Sequence, residues 1–243
     1  MPRLKRLKFD TIGYWSEIKL AIIREYAQAY SKIISGWTNP SFEHIYVDAF
    51  SGAGTHISKT TGKKVKGSPL TALEITPPFK GYHFIDLDQN RIDYLKNTIG
   101  EQPVVKFYLG DCNDILMDKI YPLAKYQDYR RALVLLDPYG LHLNWDVIKA
   151  AADMGSIEIF LNFPVSDMHR NVFWSQVEDV DKKDIARMNA FWGDESWHEC
   201  AFEQQPGLFG PETVKATNPK IAEGFRQRLK DVAGFAHVPR PIP

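Results

Sequence analysis

Five short apolar runs, "HIYVDAF", "GYHFIDLD", "VVKFYLGD", "RALVLLDPYG" and "IEIFLNFP", each close on acidic or turn residues. They are rich in β-branched and aromatic residues and lack a polar face, as strands buried on both sides do. Stretches of helical character separate them: "SPLTALEI", "QNRIDYLKNTI", "CNDILMDKIYPLAKY" and "NWDVIKAAADM". Strand and helix alternating in this way predict an α/β fold, a doubly wound and mostly parallel sheet with helices on both faces. A helix is expected ahead of the first strand. In "WSEIKLAIIREYAQAYSKII", Ile18, Leu20, Ile22, Ile23, Tyr26, Tyr30 and Ile33 fall largely on one stripe, with Ser16 as N-cap.

A chain of 243 residues suits one such core with insertions better than two full domains. The expected spans are 1–40 for a basic segment and the first helix, 41–164 for a Rossmann-like core, 165–218 for an insertion or cap, and 219–243 for a last helix and the start of a final strand. The insertion, with "VSDMHRNVFW" and "FWGDESWHECAF", is aromatic-rich and irregular. Trp174, Trp192 and Trp197 are expected to pack its own small core. The last helix, about Pro219 to Val232, ends at Gly234, and "AGFAHV" reads as the opening of a sixth strand.

Composition excludes several classes. No apolar run approaches the roughly 20 residues of a membrane span, and "MPRLKRLKFD" leads into no apolar leader core, so a cytoplasmic protein is expected. Cys112 and Cys200 stand far apart without a CxxC pair, which argues against a disulfide framework and a structural zinc; both are expected to be buried thiols, and no metal is expected. The 30 basic and 30 acidic residues balance. Two clusters depart locally from that balance: Arg3, Lys5, Arg6 and Lys8, and Lys59, Lys63, Lys64 and Lys66. Each reads either as solvated surface or as phosphate contact.

In open parallel sheets ligands bind at the carboxyl ends of the strands, so the acids and glycines that close these runs are expected to share one crevice. "VDAFSGAGTHI" carries Gly52 and Gly54, but Ile57 stands where a dinucleotide fingerprint needs its third glycine. Asp48, just before the turn, would repel a pyrophosphate and welcome a cation; S-adenosylmethionine supplies an ammonium and a sulfonium. Asp86, ending "FIDLD", is placed to accept from ribose hydroxyls, with Asp88 as the N-cap of the next helix. Asp111 of "GDC" would accept from an adenine amino group. Phe50, Ser51, Leu87 and Cys112 flank these acids and complete the candidate cofactor set.

These motifs resemble, in order, the first three of the class I S-adenosylmethionine-dependent methyltransferases, over residues 14–163. "YVDAFSGAG" with "GSPLTALE", "LLDPYG", "NFPV", "HRN" and "FWGDESW" more narrowly resembles the three-Cys-motif partner family, a methyltransferase-like group, to about residue 198. That family's name refers to cysteines in a partner protein. The resemblance implies S-adenosylmethionine as cofactor and a three-Cys-motif protein as partner. It also implies a sheet closed by an antiparallel strand pair, which "AGFAHV" would begin before the sequence stops at Pro243, so that either the last hairpin is absent or the sequence is a truncated form of a longer protein.

"LLDPYG" stands where methyltransferases acting on amines of nucleic acid bases carry an Asp/Asn-Pro-Pro-aromatic motif. An exocyclic amine is a poor nucleophile because its lone pair is delocalised. Asp137 and the carbonyl of Pro138 would accept its hydrogens, Tyr139 would stack on the base, and in-line positioning would do the rest. With one proline followed by Tyr139 and Gly140, the motif is an analogue of that pattern, and it also fits a plain strand-ending turn. Asn162, Phe163, Pro164 and Arg170 are the candidate substrate contacts. Two functions follow: methyl transfer to a nucleic acid amine, or a non-catalytic partner subunit of a three-Cys or iron-sulfur protein. A nicotinamide-dependent oxidoreductase is disfavoured by Asp48 and the missing glycine.

Overall fold

The computed structural model describes residues 8–38, 40–174, 180–207 and 210–242; Arg3, Lys5 and Arg6 lie outside the described residues. β1 (Thr11–Ile12) and α1 (Tyr14–Ser35) lead to β2 (Glu43–Asp48). β3 (Thr55–Ser58), β4 (Lys64–Lys66) and α2 (Ser68–Ala72) precede β5 (Gly81–Asp86), α3 (Gln89–Ile99) and β6 (Val105–Leu109). α4 (Cys112–Ile115) continues through a π turn, Leu116–Ile120, and β7 (Arg130–Leu136), α5 (Trp145–Met154) and β8 (Ile157–Leu161) follow. α6 (Val165–Asn171), α7 (Lys182–Trp192), α8 (Trp197–Ala201), β9 (Phe202–Gly207), β10 (Gly210–Lys215) and α9 (Asn218–Arg228) complete the chain, α9 running on into a second π turn, Leu229–Ala233.

The five apolar runs are β2, β5, β6, β7 and β8, and they form one sheet in the order β6-β5-β2-β7-β8. All four pairings are parallel. The fold is thus the doubly wound, Rossmann-like α/β arrangement, with the order of strands reversing between β2 and β7. Tyr46, Tyr82, Phe84, Leu133 and Leu135 share one buried cluster with Ile23, Ala27 and Tyr30 of α1, Ala72 of α2 and Leu95 of α3. Val47, Ile85 and Val134, of the opposite parity, are as deeply buried, so both faces of the sheet are covered.

Contacts divide the chain into two units, residues 1–136 with 156–161, and residues 137–155 with 162–243. The first holds the whole five-stranded sheet. It also holds a small sheet ordered β1-β3-β4, in which β1 runs parallel to β3 and β4 antiparallel. The second unit has its own aromatic core. Phe225 stacks 4.8 Å from Phe163 and 5.3 Å from Phe191. Buried Trp192 and Trp197 satisfy their indole N–H groups on Ser196 and Asn189, as buried indoles require, whereas Trp174 is 45% exposed. Arg228 ties this unit together: it lies over the Trp145 ring at 4.6 Å and donates to Asp194 and to the Trp192 carbonyl.

Several expectations are corrected. Gly13, not Ser16, caps α1, and Ser16 lies inside the first turn with its amide bonded to Gly13 O. The buried stripe of α1 is Ile23, Ala27, Tyr30 and Ser31, leaving Ile33 63% exposed, because a 3.6-residue period from Ile23 passes through Ile34 rather than Ile33. "AGFAHV" forms no strand: Gly234 ends the second π turn with φ +91°, and the extended tail is held to α9 by Arg226 donating to Val238 O at 2.9 Å. Pro239 and Pro241 have no N–H for a ladder. Cys200 is only partly buried, unlike Cys112. No helix among the described residues is long and apolar enough to cross a membrane.

Candidate functional site

In the first unit, the adjoining strands β2, β5 and β6 deliver Asp48, Asp86 and Asp111 at or just beyond their carboxyl ends. Asp48 is fully buried. It accepts from the Phe50 amide (3.2 Å) and from the Ser68 hydroxyl (2.6 Å), a serine in the first turn of α2 that the sequence reading did not single out. The intervening loop is pinned to β5 by Ser51, whose amide and hydroxyl both donate to Ile85 O. Ser51 is therefore a structural anchor. Phe50 is partly buried beside it.

The two glycines differ. Both take the left-handed conformation that favours glycine, with φ +59° at Gly52 and +68° at Gly54. A Cβ at Gly54 would lie 2.5 Å from Leu95 Cδ1 and 3.3 Å from Leu70 Cγ, so protein side chains already fill that space. A Cβ at Gly52 would meet nothing within 4 Å. Only Gly52 leaves room for something to approach the backbone.

Asp86 closes the loop from below. Its Oδ2 accepts from the Gly52 amide at 2.9 Å and its Oδ1 from the Asp88 amide at 2.8 Å. Arg91, on α3, sits 3.9 Å from Asp86 Oδ2 and 3.2 Å from Asp10, so its charge links the N-terminal segment to the candidate ribose ligand. A carboxylate has about four acceptor positions, so capacity for a ligand remains. Asp88 caps α3 as expected, and its bond from the Asn90 amide (2.8 Å) holds its carboxyl below the usual carboxylate range. Leu87 is 70% exposed next to them. Asp111 is exposed and caps α4, taking both the backbone and the side-chain N–H of Asn113 on Oδ1. Cys112 is buried, and burial pushes its thiol up to about 12.

In the second unit, Asp137 follows the last residue of β7 in the chain. Asn162 Nδ2 donates to Asp137 Oδ1 at 2.7 Å, which brings together an expected catalytic and an expected substrate residue. Pro138 is buried, and Tyr139 is 64% exposed. Gly140 has no room for a side chain: a Cβ there would lie 2.7 Å from Asp167 Oδ2. Asp167 accepts from the Leu141 amide (3.2 Å) and from Asn171 (2.8 Å), and Arg187 approaches it at 3.5 Å. Asp167 thus fixes the turn after "DPYG", a role that no motif in the sequence marks. Phe163 is in the aromatic core, Pro164 is the buried N-cap of α6, and Arg170 is exposed on α6. Arg170 shares an open cavity of about 600 Å³ with Ser166, His169 and Asn218.

No family model matches the chain, and no curated protein matches it in sequence. Among solved structures it is similar to protein LPL1258 from Legionella pneumophila str. Philadelphia 1, described with the family model DUF519. The TM-score is 0.43 and the identity 11%, over 89% of this chain and 92% of that one. A conserved hypothetical protein of Streptococcus pyogenes matches at TM-score 0.32 and 16% identity, over 49% of this chain and 64% of that one. Streptomyces venezuelae DesVI matches at TM-score 0.31 and 14% identity, over 61% and 56%. At these scores the likenesses carry no argument about the site.

Proposed function

We propose that the chain is an S-adenosylmethionine-dependent methyltransferase whose acceptor is an exocyclic amine of a nucleic acid base. The observation that carries the reading is the open backbone at Gly52, cradled between a buried Asp48 and an Asp86 that already orients the Gly52 amide. Such a cradle fits a small cationic amino-acid group better than a phosphate, because carboxylates rather than helix-borne N–H groups surround it. Asp48, with Ser68 and Phe50 fixing its rotamer, would hold the ammonium. Asp86 would accept from the ribose, exposed Leu87 would lie against the adenine, and Asp111 would take the adenine amine.

S-adenosylmethionine, when bound, supplies a methyl group activated by its positive sulfur. The acceptor side is the work of Asp137, Pro138, Tyr139 and Asn162. Asp137 and the Pro138 carbonyl would accept the two amine hydrogens, localising the nitrogen lone pair, and Tyr139 would stack on the base. Asn162 orients Asp137, leaving its own Oδ1 as a further acceptor.

Calorimetry with S-adenosylhomocysteine and with NAD, together with labelled-methyl transfer into total nucleic acid, tests the proposal. The expected result is binding of the first ligand only, and transfer that falls at least about a hundredfold in Asp137→Asn with cofactor affinity retained. A folded chain that binds S-adenosylhomocysteine and methylates no nucleic acid would sink the catalytic reading and leave the non-catalytic partner.

A further inference from the structure

Lys8, of the first basic cluster, and the lysines of the second, some fifty residues on in sequence, flank or enter one small sheet. β1, which follows Lys8, pairs parallel with β3, which precedes Lys59, in the register Thr11↔Ile57 and Ile12↔Ser58. β4 then brings Lys64 opposite Ile57. The Lys59 amide donates to Ile12 O at 2.8 Å, two residues before Tyr14. Tyr14 and Trp15 open α1 at 64% and 77% exposure, their rings 5.5 Å apart and edge to face. Lys64 lies over the Phe9 ring at 5.2 Å, and Lys66 pairs with Glu74. Lys8, Lys59 and Lys63 are exposed and form no ion pair among the described residues.

We infer that this sheet is a docking surface for single-stranded nucleic acid, with Lys8, Lys59, Lys63 and Lys64 along the phosphates and Tyr14 and Trp15 stacking on bases. In a chain of zero net charge, uncompensated lysines on one small element are a local field, and phosphate is the ligand whose charge complements it. Two exposed aromatic rings at the start of α1, two and three residues beyond the Ile12 carbonyl that the Lys59 amide bonds, match the way single strands are held without sequence preference. A lipid surface fits less well, since the other exposed residues of the sheet and its turn are Thr, Lys and Gly, with no exposed aliphatic side chain. The inference deepens the proposed function and rests on it for the class of substrate, although binding needs neither cofactor nor Asp137.

Fluorescence anisotropy of the full chain with labelled 20-mers of oligo(dT) and oligo(U), over a series of salt concentrations, is the test. The double variant Lys59→Glu/Lys63→Glu should weaken binding tenfold or more and make the salt slope shallower by about one to two. Trp15→Ala should weaken binding about tenfold with little change in the slope. All substituted side chains are exposed, so equal melting temperatures will show that the variants fold. Wild-type affinity unchanged in these variants, or binding only to phosphatidylserine vesicles, overturns the surface. If the variants lose binding while the wild-type chain methylates no nucleic acid, the surface stands and the acceptor proposed above falls.

Discussion

At the scale of single residues, Gly52 and Gly54 separate what a ligand needs from what the fold needs. Gly54→Ala combines a left-handed φ with a Cβ 2.5 Å from a fully buried Leu95, and should cost about 2–4 kcal/mol in urea unfolding. Gly52→Ala carries the same backbone strain into open space. It should cost only about 1 kcal/mol, yet weaken S-adenosylhomocysteine binding measured by calorimetry; equal stability losses would contradict the distinction. His44 offers a second test. Ser31 Oγ lies 2.9 Å from His44 Nε2 and donates its own proton to Pro77 O, so the ring donates from Nε2. That leaves Nδ1 buried without a partner among the described residues. Burial, with Lys80 nearby, lowers the pKa from 6.5 to about 4. A depressed histidine favours the fold while neutral: that stability is complete above pH 6.5 and is lost as pH falls toward 4. Between pH 7.5 and 4.5 it amounts to about 2–3 kcal/mol, and His44→Gln should remove that share of the pH dependence in paired urea titrations.

At the scale of elements, Asp86 and Asp88 stand two residues apart at the junction of β5 and α3 and do different work. Asp88→Ala removes an N-cap and should cost about 1 kcal/mol of stability with cofactor binding unchanged. Asp86→Asn keeps the shape but weakens the acceptor for the Gly52 amide and for a ribose, so calorimetry should register it as lost affinity. The Asp88 cap was legible in the sequence because spacing into a helix identifies a cap. The five central strands were legible for a related reason: a strand buried on both faces is apolar throughout, whatever its neighbours. β1, β3, β4, β9 and β10 were not, since exposed ribbons such as "THISKTTGKKVK" carry lysine and threonine without alternation. The neighbours of Ser51, Gly54 and Phe163 were not legible, because sequence shows residue type at a loop but not which backbone carbonyl, leucine or ring lies against it. Ser68 and Asp167 escaped because each acts on a residue 20 or more positions away.

At the scale of the whole molecule, the two units assign the proposed roles separately: Asp48, Gly52 and Asp86 belong to the first, and Asp137, Tyr139 and Asn162 to the second. Each has its own core, one built on the parallel sheet and one on Phe163, Phe191 and Phe225. A ligand held by the first unit stabilises only states in which that unit is folded, by about 2.7 kcal/mol at a hundred times its Kd. Amides of β2, β5 and β6 that exchange through opening of the sheet should then slow about a hundredfold when S-adenosylhomocysteine is added, whereas amides of α7 and α9 that exchange through opening of the aromatic core should keep their rates. The same pattern is expected in Asp137→Asn, because that carboxylate is assigned to the acceptor and not to the cofactor. Slowing spread equally over α7 and α9 would mean that the units open together, and the cofactor could no longer be credited to the first alone. Slowing lost in Asp137→Asn would move that residue from acceptor to cofactor binding, and with it the chemistry assigned to "DPYG".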